Sequence, residues 1–499
     1  VEWQNRVAVA RRVAGRTREG QTALERARGL ASGAVAERER AFSLFREAHL
    51  ADAEGAWARA LALGAETDVG MADAARLFEI ALAQDPSRDD VRRRLGEAIY
   101  ERALLAERDR RSSQEDELLQ RLRLYDPDGS WQRAWVAPMR LTVTTRPAPA
   151  RATIARYVDR EGALRLEPGR ALGRSPVSAI ELEPGSYLLT LEAAGRYPVR
   201  YPLVASRGGV LAVSVDLPTA AEVPPGYVFI PPGSFLFGSG GDEEARRGFF
   251  VATPIHERTT AGYFIAIDEV TCADWIAYLD DLPDRERAER TPVIEERQSG
   301  KAGLRLERES DGAWTLQYGT AGHDYKARWG EPFRYRARRR RAEQDWRRFP
   351  ITGVSALDAE AYTAWLDRTG RLPGARLCTE AEWERAARGA DGRDFPAGSR
   401  LSPDDANIDE TYGKAAAAIG PDEVGSYPQS ASPFGLDDAS GNAFEWTTSV
   451  LAKGGYLARG GSYYYDVKSA QLSNRAESVP TLRDASTGIR VCASHSVRI

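Results

Sequence analysis

The stretch Gly435-Leu-Asp-Asp-Ala-Ser-Gly-Asn-Ala-Phe-Glu-Trp446 limits the fold more than any other part of the chain. Two glycines around short polar side chains cannot continue a helix or a flat strand, so the backbone must turn tightly there. Asp438 and Glu445 flank that turn, and a tight turn directs main-chain carbonyls inward. Carboxylates and carbonyls together are the donors that a hard cation such as calcium selects. The same residues also read as a capped loop whose acids face water.

At 499 residues the chain exceeds one ordinary core, which points to about three domains. Charge is high but balanced, with a formal net charge of −4, which argues against a nucleic-acid binder driven by overall charge. Cys272, Cys378 and Cys492 allow at most one pair and exclude a disulfide scaffold or a four-thiolate zinc site. The histidines His49, His256, His323 and His495 are scattered, with no metal-binding spacing. No apolar run is long enough to cross a bilayer. The opening at Val1, without a signal peptide, is the pattern expected of a fragment or processed form and leaves room for an upstream membrane anchor.

Residues 1–135 have a helical composition, rich in Ala, Arg, Glu and Leu. Phe42-Ser-Leu-Phe-Arg-Glu-Ala48 and Ala75-Arg-Leu-Phe-Glu-Ile-Ala81 are alike at a period close to that of tetratricopeptide repeats. An antiparallel helical hairpin or coiled coil fits the same pattern. From Leu141 the pattern changes to alternation, in 141–145, 152–157, 180–182, 187–191 and 210–217, which predicts a small antiparallel β-sandwich over 136–220. Val223-Pro-Pro-Gly226 is a stiff linker, and 225–499 is loop-rich, with expected helices at Glu269–Leu279 and Asp358–Leu366. Thr379-Glu-Ala-Glu382 is a capping box that opens a third. The basic run Arg334–Arg341 reads as a solvated surface of an insertion at 283–348.

Two resemblances follow from these residues. Leu182-Glu-Pro-Gly-Ser-Tyr-Leu-Leu189, running on to Gly195-Arg-Tyr197, resembles the bacterial PEGA module, with Arg196 splitting its usual Gly-Tyr pair. Gly226–Ser239, Glu269-Val-Thr271, Gly353-Val-Ser355, Arg376–Glu384, Gly441–Trp446, Arg459-Gly-Gly-Ser462 and Gly488-Ile-Arg490 resemble, in order, the motifs of the formylglycine-generating enzyme, or sulfatase-modifying factor, family. That resemblance implies an α+β fold of C-type-lectin type with little regular structure. It also implies a structural calcium held by Asp438 and Glu445 with the carbonyls of Gly441 and Ala443. A second family calcium site matches here only at Asn407 and Ile408. The family's copper(I) is held by two cysteine thiolates, a soft pair; Tyr465 and Ala470 occupy those positions in this chain, so copper is not expected. Cys378 and Cys492 fall on neighbouring central elements of the family fold, as two buried thiols or as a disulfide.

The family's substrate groove maps to Ser462, Tyr463, Tyr465, Asp466, Asn474 and Arg475. With the copper positions changed, the resemblance implies a non-catalytic region that binds a protein or small-molecule ligand in that groove. Its overall order is similar to the C-terminal regions of bacterial membrane Ser/Thr kinases, on the extracytoplasmic side, with a cytoplasmic placement as the alternative. An oxidoreductase acting through Ser462, Tyr465 or Asp466, or a lectin-like surface-display protein, are the competing readings.

Overall fold

The computed structural model describes residues 2–295, 302–320, 322–450 and 454–495. Two compact units are present, Val1–Met139 with Arg207–Gly209, and Arg140–Ser206 with Val210–Ile499.

The first unit is helical: α1 (Glu2–Arg46), α2 (Leu50–Gln84), α3 (Asp89–Arg108), α4 (Ser112–Leu122) and α5 (Ser130–Trp135). Val13, Gly20, Ala27, Ala34 and Ala41 of α1 recur every seven residues and are buried, which is the seam of two packed helices. A Cβ on Gly20 would stand 2.7 Å from the Phe78 ring, so glycine lets α2 approach. Gly33 lies opposite Leu63 and Gly70 opposite Ala27, an antiparallel hairpin. The first look-alike segment ends the 45-residue α1 and enters the turn after it, and the second lies inside the 35-residue α2, so both belong to long helices and not to short repeated hairpins. Asp85 caps the end of α2, and Pro86 after it cannot continue a helix. Among the described residues no helix is long and apolar enough to cross a membrane.

The second unit begins with β1 (Met139–Arg146), β2 (Arg151–Arg160), β3 (Ala163–Leu166), β4 (Arg170–Arg174), β5 (Val177–Leu182), β6 (Gly185–Glu192), β7 (Val199–Ala205) and β8 (Val210–Asp216). They form two sheets, β5-β1-β8 and β3-β2-β6-β7, with β4 also on β2. The expected all-antiparallel arrangement is not what forms: β1 and β8 pair in parallel, Arg140 against Val210 through Arg146 against Asp216. Alternation of side chains reports which face is buried but not strand direction, and β2–β7 together act as the crossover that a parallel pair needs. The β2–β3 turn is stitched to the domain that follows, with Leu164 N–H on Ala397 O at 2.7 Å and Ser399 N–H on Gly162 O at 2.9 Å.

That domain is a mixed α/β assembly of small sheets. It starts with β9 (Tyr227–Ile230), β10 (Gly233–Phe237), α6 (Glu243–Gly248), β11 (His256–Thr260), β12 (Tyr263–Ala266) and α7 (Cys272–Asp280). An insertion follows: α8 (Asp284–Arg290), β13 (Val293–Ile294), β14 (Ala302–Arg308), β15 (Trp314–Thr320), β16 (His323–Arg328), β17 (Phe333–Arg334) and β18 (Glu343–Gln344). Then come α9 (Ala356–Arg368), β19 (Ala375–Leu377), α10 (Glu380–Arg388), β20 (Phe444–Val450), β21 (Tyr456–Arg459), β22 (Ala476–Ser478), β23 (Thr487–Ile489) and β24 (Val491–Ser494).

Two four-stranded sheets, β19-β24-β12-β9 and β22-β21-β20-β23, frame the centre, and β13–β16 make a third in the insertion. Val228, Ile230, Tyr263, Ile265, Trp383, Ala386, Leu436 and Leu472 fill the core between α10 and the first sheet. Cys378 and Cys492 are joined there as a disulfide, with Cα atoms 5.0 Å apart. Cys272 is a buried free thiol at the start of α7. Capping boxes set all three larger helices: Thr379 with Glu382 as expected, and also Thr271 with Asp274 and Ser355 with Asp358. Thr271 therefore delays α7 to Cys272, where the apolar pattern predicts a start at Glu269, and Ser355 starts α9 before Asp358.

Candidate functional site

The Gly435–Trp446 loop crosses the middle of this domain and is almost wholly buried. Asp438 and Asn442 take φ of +52° and +57°, and Gly441 takes +91°. A Cβ on Gly441 would lie 2.5 Å from the Asn407 carbonyl, so only glycine fits. The Asn442 amide N–H donates to Asn407 O at 2.8 Å, and its Oδ1 accepts from Asp422 N and Asn407 Nδ2. Asn407 also donates to Gly420 O, while Ile408 N–H and C=O both engage Thr411. The Asn407-Ile408 pair is thus a hydrogen-bonded crossing point beneath the loop.

Glu445 lies on β20 and faces Arg490, both fully buried. Arg490 Nε and Nη2 bind its two oxygens at 2.8 and 2.7 Å, and Trp383 Nε1 donates to one of them. This is a bidentate, charge-assisted pair that satisfies the carboxylate. Arg490 also donates to the carbonyls of Ala266, Ile267 and Asp437, tying the β12 end to the loop.

Asp438 is buried too, with one oxygen accepting from Gly425 N–H at 2.7 Å. Burial pushes its carboxyl up to about 7. Burial, followed by the charge of Asp438, pushes Glu269 well above the usual carboxylate range. A cation would relieve this excess of negative charge, since carboxylate oxygens are what calcium takes. The fit is good at Asp438, which is buried with no arginine holding its carboxylate. At Glu445 it is poor, because Arg490 and Trp383 already hold both oxygens. Among the described residues no three Asp, Glu, His or Cys side chains converge closely enough to bind an ion by themselves, so main-chain carbonyls must contribute.

The residues mapped to the groove divide by burial. Ser462, Tyr463 and Asn474 are buried, and Tyr463 donates its hydroxyl to Ala485 O at 2.6 Å. The Tyr463 ring meets Tyr318 of β15 edge-on at 6.1 Å, so the insertion covers this part of the chain. Asn474 Nδ2 donates to Ser469 O at 2.8 Å, and Asp466 Oδ1 accepts from both Ser469 N and Oγ. Arg475 is tied to Glu380 and to Val251 O. Tyr465 is half-buried, its ring edge-on to Phe444 at 5.5 Å, and Tyr464 packs beside it. Ala470 is fully buried among Phe395, Leu401, Ala406 and Ile408.

Below this stretch runs an ionic network. Arg459 donates to Glu380 at 2.6 Å, to Glu384 and to Leu472 O, and Glu384 also pairs with Arg388 at 3.0 Å. Burial pushes Glu380 up, but Arg475 and Arg459 more than offset it and hold the carboxyl below its usual range.

Sequence reasoning missed three elements. Glu269 and Arg490 were seen only as parts of motifs. The basic run, expected to be solvated, is in part a latch: Arg338 is buried and donates to Ala418 O, Gly420 O and Asp422. Its guanidinium lies 3.4 Å over the Tyr335 ring and 3.9 Å over Tyr412. Asp422 accepts further from Tyr412, Tyr427 and Gln344. Arg334, Arg336, Arg339 and Arg340 are exposed as expected. The tyrosines spaced through 318–335 were the available signal for a packed insertion.

Comparison with known proteins agrees with this architecture. Residues 214–495, more than half of the chain, match the sulfatase-modifying factor enzyme 1-like domain. The serine/threonine-protein kinase Pkn1 of Chlamydia trachomatis serovar L2 is 27% identical over 223 residues, 44% of this chain and 27% of the kinase. The inactive C-alpha-formylglycine-generating enzyme 2 of Mus musculus is 33% identical over 163 residues, 30% of this chain and 50% of that protein. Hercynine oxygenase of Mycobacterium tuberculosis is 39% identical over 108 residues, 20% of this chain and 22% of that enzyme. The chain therefore spans half or less of the length of these relatives. By the match over 214–495, it belongs to the sulfatase-modifying factor enzyme 1-like family.

Proposed function

We propose that this chain is a non-catalytic, ligand- or protein-binding sensory region, the C-terminal part of a bacterial signalling protein such as a membrane Ser/Thr kinase. One observation carries the reading. At the two positions where the family resemblance places copper thiolates, a tyrosine packs on Phe444 and an alanine is sealed in an apolar cluster. Neither offers a soft ligand. Burial of Ser462 and the commitment of Asp466 to Ser469 support the same reading. So does similarity to kinases and to a relative named as inactive.

In this reading the 225–499 domain has the C-type-lectin type of fold and residues 136–220 are a PEGA-like sandwich acting as a spacer. A structural calcium sits at the Gly435–Trp446 loop, held by Asp438 and the carbonyls of Gly441 and Ala443. The ligand surface is the half-buried remainder of the groove around Tyr464, Tyr465 and Asp466, on the extracytoplasmic side. The test is metal analysis and oxygen consumption of the purified chain with a cysteine-containing peptide. The reading expects neither stoichiometric copper nor iron and no oxygen uptake. Stoichiometric copper or iron with turnover would replace it by the oxidoreductase reading.

A further inference from the structure

The hairpin of α1 and α2 has two grooves, and α3 fills one of them. Arg28 of α1 pairs with Glu97 and Glu101 of α3, and Asp68 of α2 accepts from Arg102 of α3 at 3.0 Å. Two residues along a helix turn the side chain by about 200°, so Arg26 and Glu66 stand on the side of the hairpin away from α3. There the structure leaves an open groove of about 880 Å³, running along α1 from Gly15 to Leu30 and along α2 from Ala65 to Asp73.

Its walls are built for contact from outside the hairpin. Val69 is 62% exposed. A Cβ on Gly15 would meet no atom within 4 Å, so the hairpin gains no packing from glycine there, although glycine weakens a helix. Thr22 and Ala65 are short and exposed, which lets a further helix come close.

The rims differ in charge. Arg18 and Arg26 line the α1 side, Glu66 and Asp73 the α2 side. Glu19, the one acid in the α1 lining, is taken by Arg16 at 2.6 Å. Asp73 pairs with the exposed Arg76 at 3.1 Å, whereas Arg18, Arg26 and Glu66 form no ion pair among the described residues. A surface basic on one rim and acidic on the other is complementary to itself. A two-fold axis parallel to the helices lays groove on groove with α1 of each copy facing α2 of the other, while an axis across the helices sets arginine rim on arginine rim. Gly70 lies opposite Ala27 in the hairpin, so the parallel axis brings Arg26 to the level of Met71 in the second copy, between its Glu66 and Asp73.

We propose that this groove is the interface of a symmetric homodimer, in which the hairpins of two copies pack into a four-helix bundle with Arg18 and Arg26 of each facing Glu66 and Asp73 of the other. Burial of Val69, Leu30 and the short residues between them supplies the attraction, and the charged rims fix register and orientation.

Sedimentation of the full chain over a range of concentrations reads the state directly. Two double variants carry the test: Arg18→Glu with Arg26→Glu, which makes both rims acidic, and Glu66→Arg with Asp73→Arg, which makes both basic. Wild type should sediment as a dimer that weakens with salt. Each double variant alone should dissociate roughly a hundredfold more readily, with its far-UV circular dichroism unchanged. An equimolar mixture of the two should restore the dimer, because every acidic rim then meets a basic one. Val69→Arg sets a bulky cation in the groove at an already exposed site, and should weaken the dimer even if a charge reversal unfolds the hairpin. A wild type that stays monomeric throughout overturns the proposal and leaves the groove to a helix of another protein. A dimer indifferent to these variants overturns it too, as do double variants that keep their helix content and fail to combine on mixing.

Discussion

Arg338 offers the sharpest test of how the insertion is attached. Replacing it by methionine keeps a flexible, polarisable chain between the Tyr335 and Tyr412 rings but removes three hydrogen-bonding directions. Arg338 and Asp422 are both fully buried, and breaking a buried pair from one side costs about 3–5 kcal/mol. Asp422 keeps Tyr412, Tyr427 and Gln344 as donors, and Gly420 O keeps Asn407, which places the cost near the lower end, about 3 kcal/mol. At 1.4 kcal/mol per tenfold, that raises the opening equilibrium of the insertion roughly a hundredfold. Hydrogen exchange of amides in β15 and β16 reads this directly, with α1 as an internal reference whose exchange stays unchanged. The exposed Arg339→Met serves as a control, expected to shift stability by less than about 0.5 kcal/mol. Protection of β15 and β16 within threefold of wild type in Arg338→Met would refute the latch.

Three further outcomes are expected. Glu380 is held below its ordinary value of 4.5, so its contribution to stability is present above that pH and is lost as pH falls through the lower folded value; Glu380→Gln should flatten the acid limb of melting temperature against pH. The Cys378–Cys492 bond closes a separation of 114 residues, so a Cys378→Ser, Cys492→Ser double variant should lose about 2–5 kcal/mol in urea unfolding of the second unit, while Cys272 stays unalkylated in the folded chain. Gly441→Ala forces a Cβ to 2.5 Å from Asn407 O at positive φ and should cost more than about 2 kcal/mol, whereas an equal melting temperature would show that the loop yields.

The sequence displays what local chemistry decides. Five of the eight strands in 139–216 show as alternation, while β3, β4 and β7 do not, because β3 and β4 bury none of their residues and β7 is interrupted by Pro202. The Thr379 box was legible since Ser/Thr and Glu at that spacing satisfy each other's backbone groups. The boxes at Thr271 and Ser355 use aspartate at that position, and they set two helix starts that the apolar pattern places elsewhere. The helical composition of α1–α5 was plain, but hairpin and repeat readings share one pattern and only packing separates them.

In the candidate site, Asp438, Gly441 and Glu445 stood out by motif. Their contacts with Glu269, Arg490 and Asn407 did not, because those residues are distant in sequence and meet the loop only through the fold. Arg338 was hidden for a related reason: in a run of arginines, nothing local distinguishes the one that turns inward between two tyrosines.

The parallel pairing of β1 with β8 has a mechanical consequence. The chain enters this segment through one strand and leaves through the other, and in a parallel pair those two ends point in opposite directions. Tension between the flanking segments would load the Arg140–Arg146 and Val210–Asp216 ladder along its length. Its hydrogen bonds would share the load in shear instead of failing one at a time like an opening zipper. The segment is therefore built to stay closed under a pull that would unfasten a hairpin.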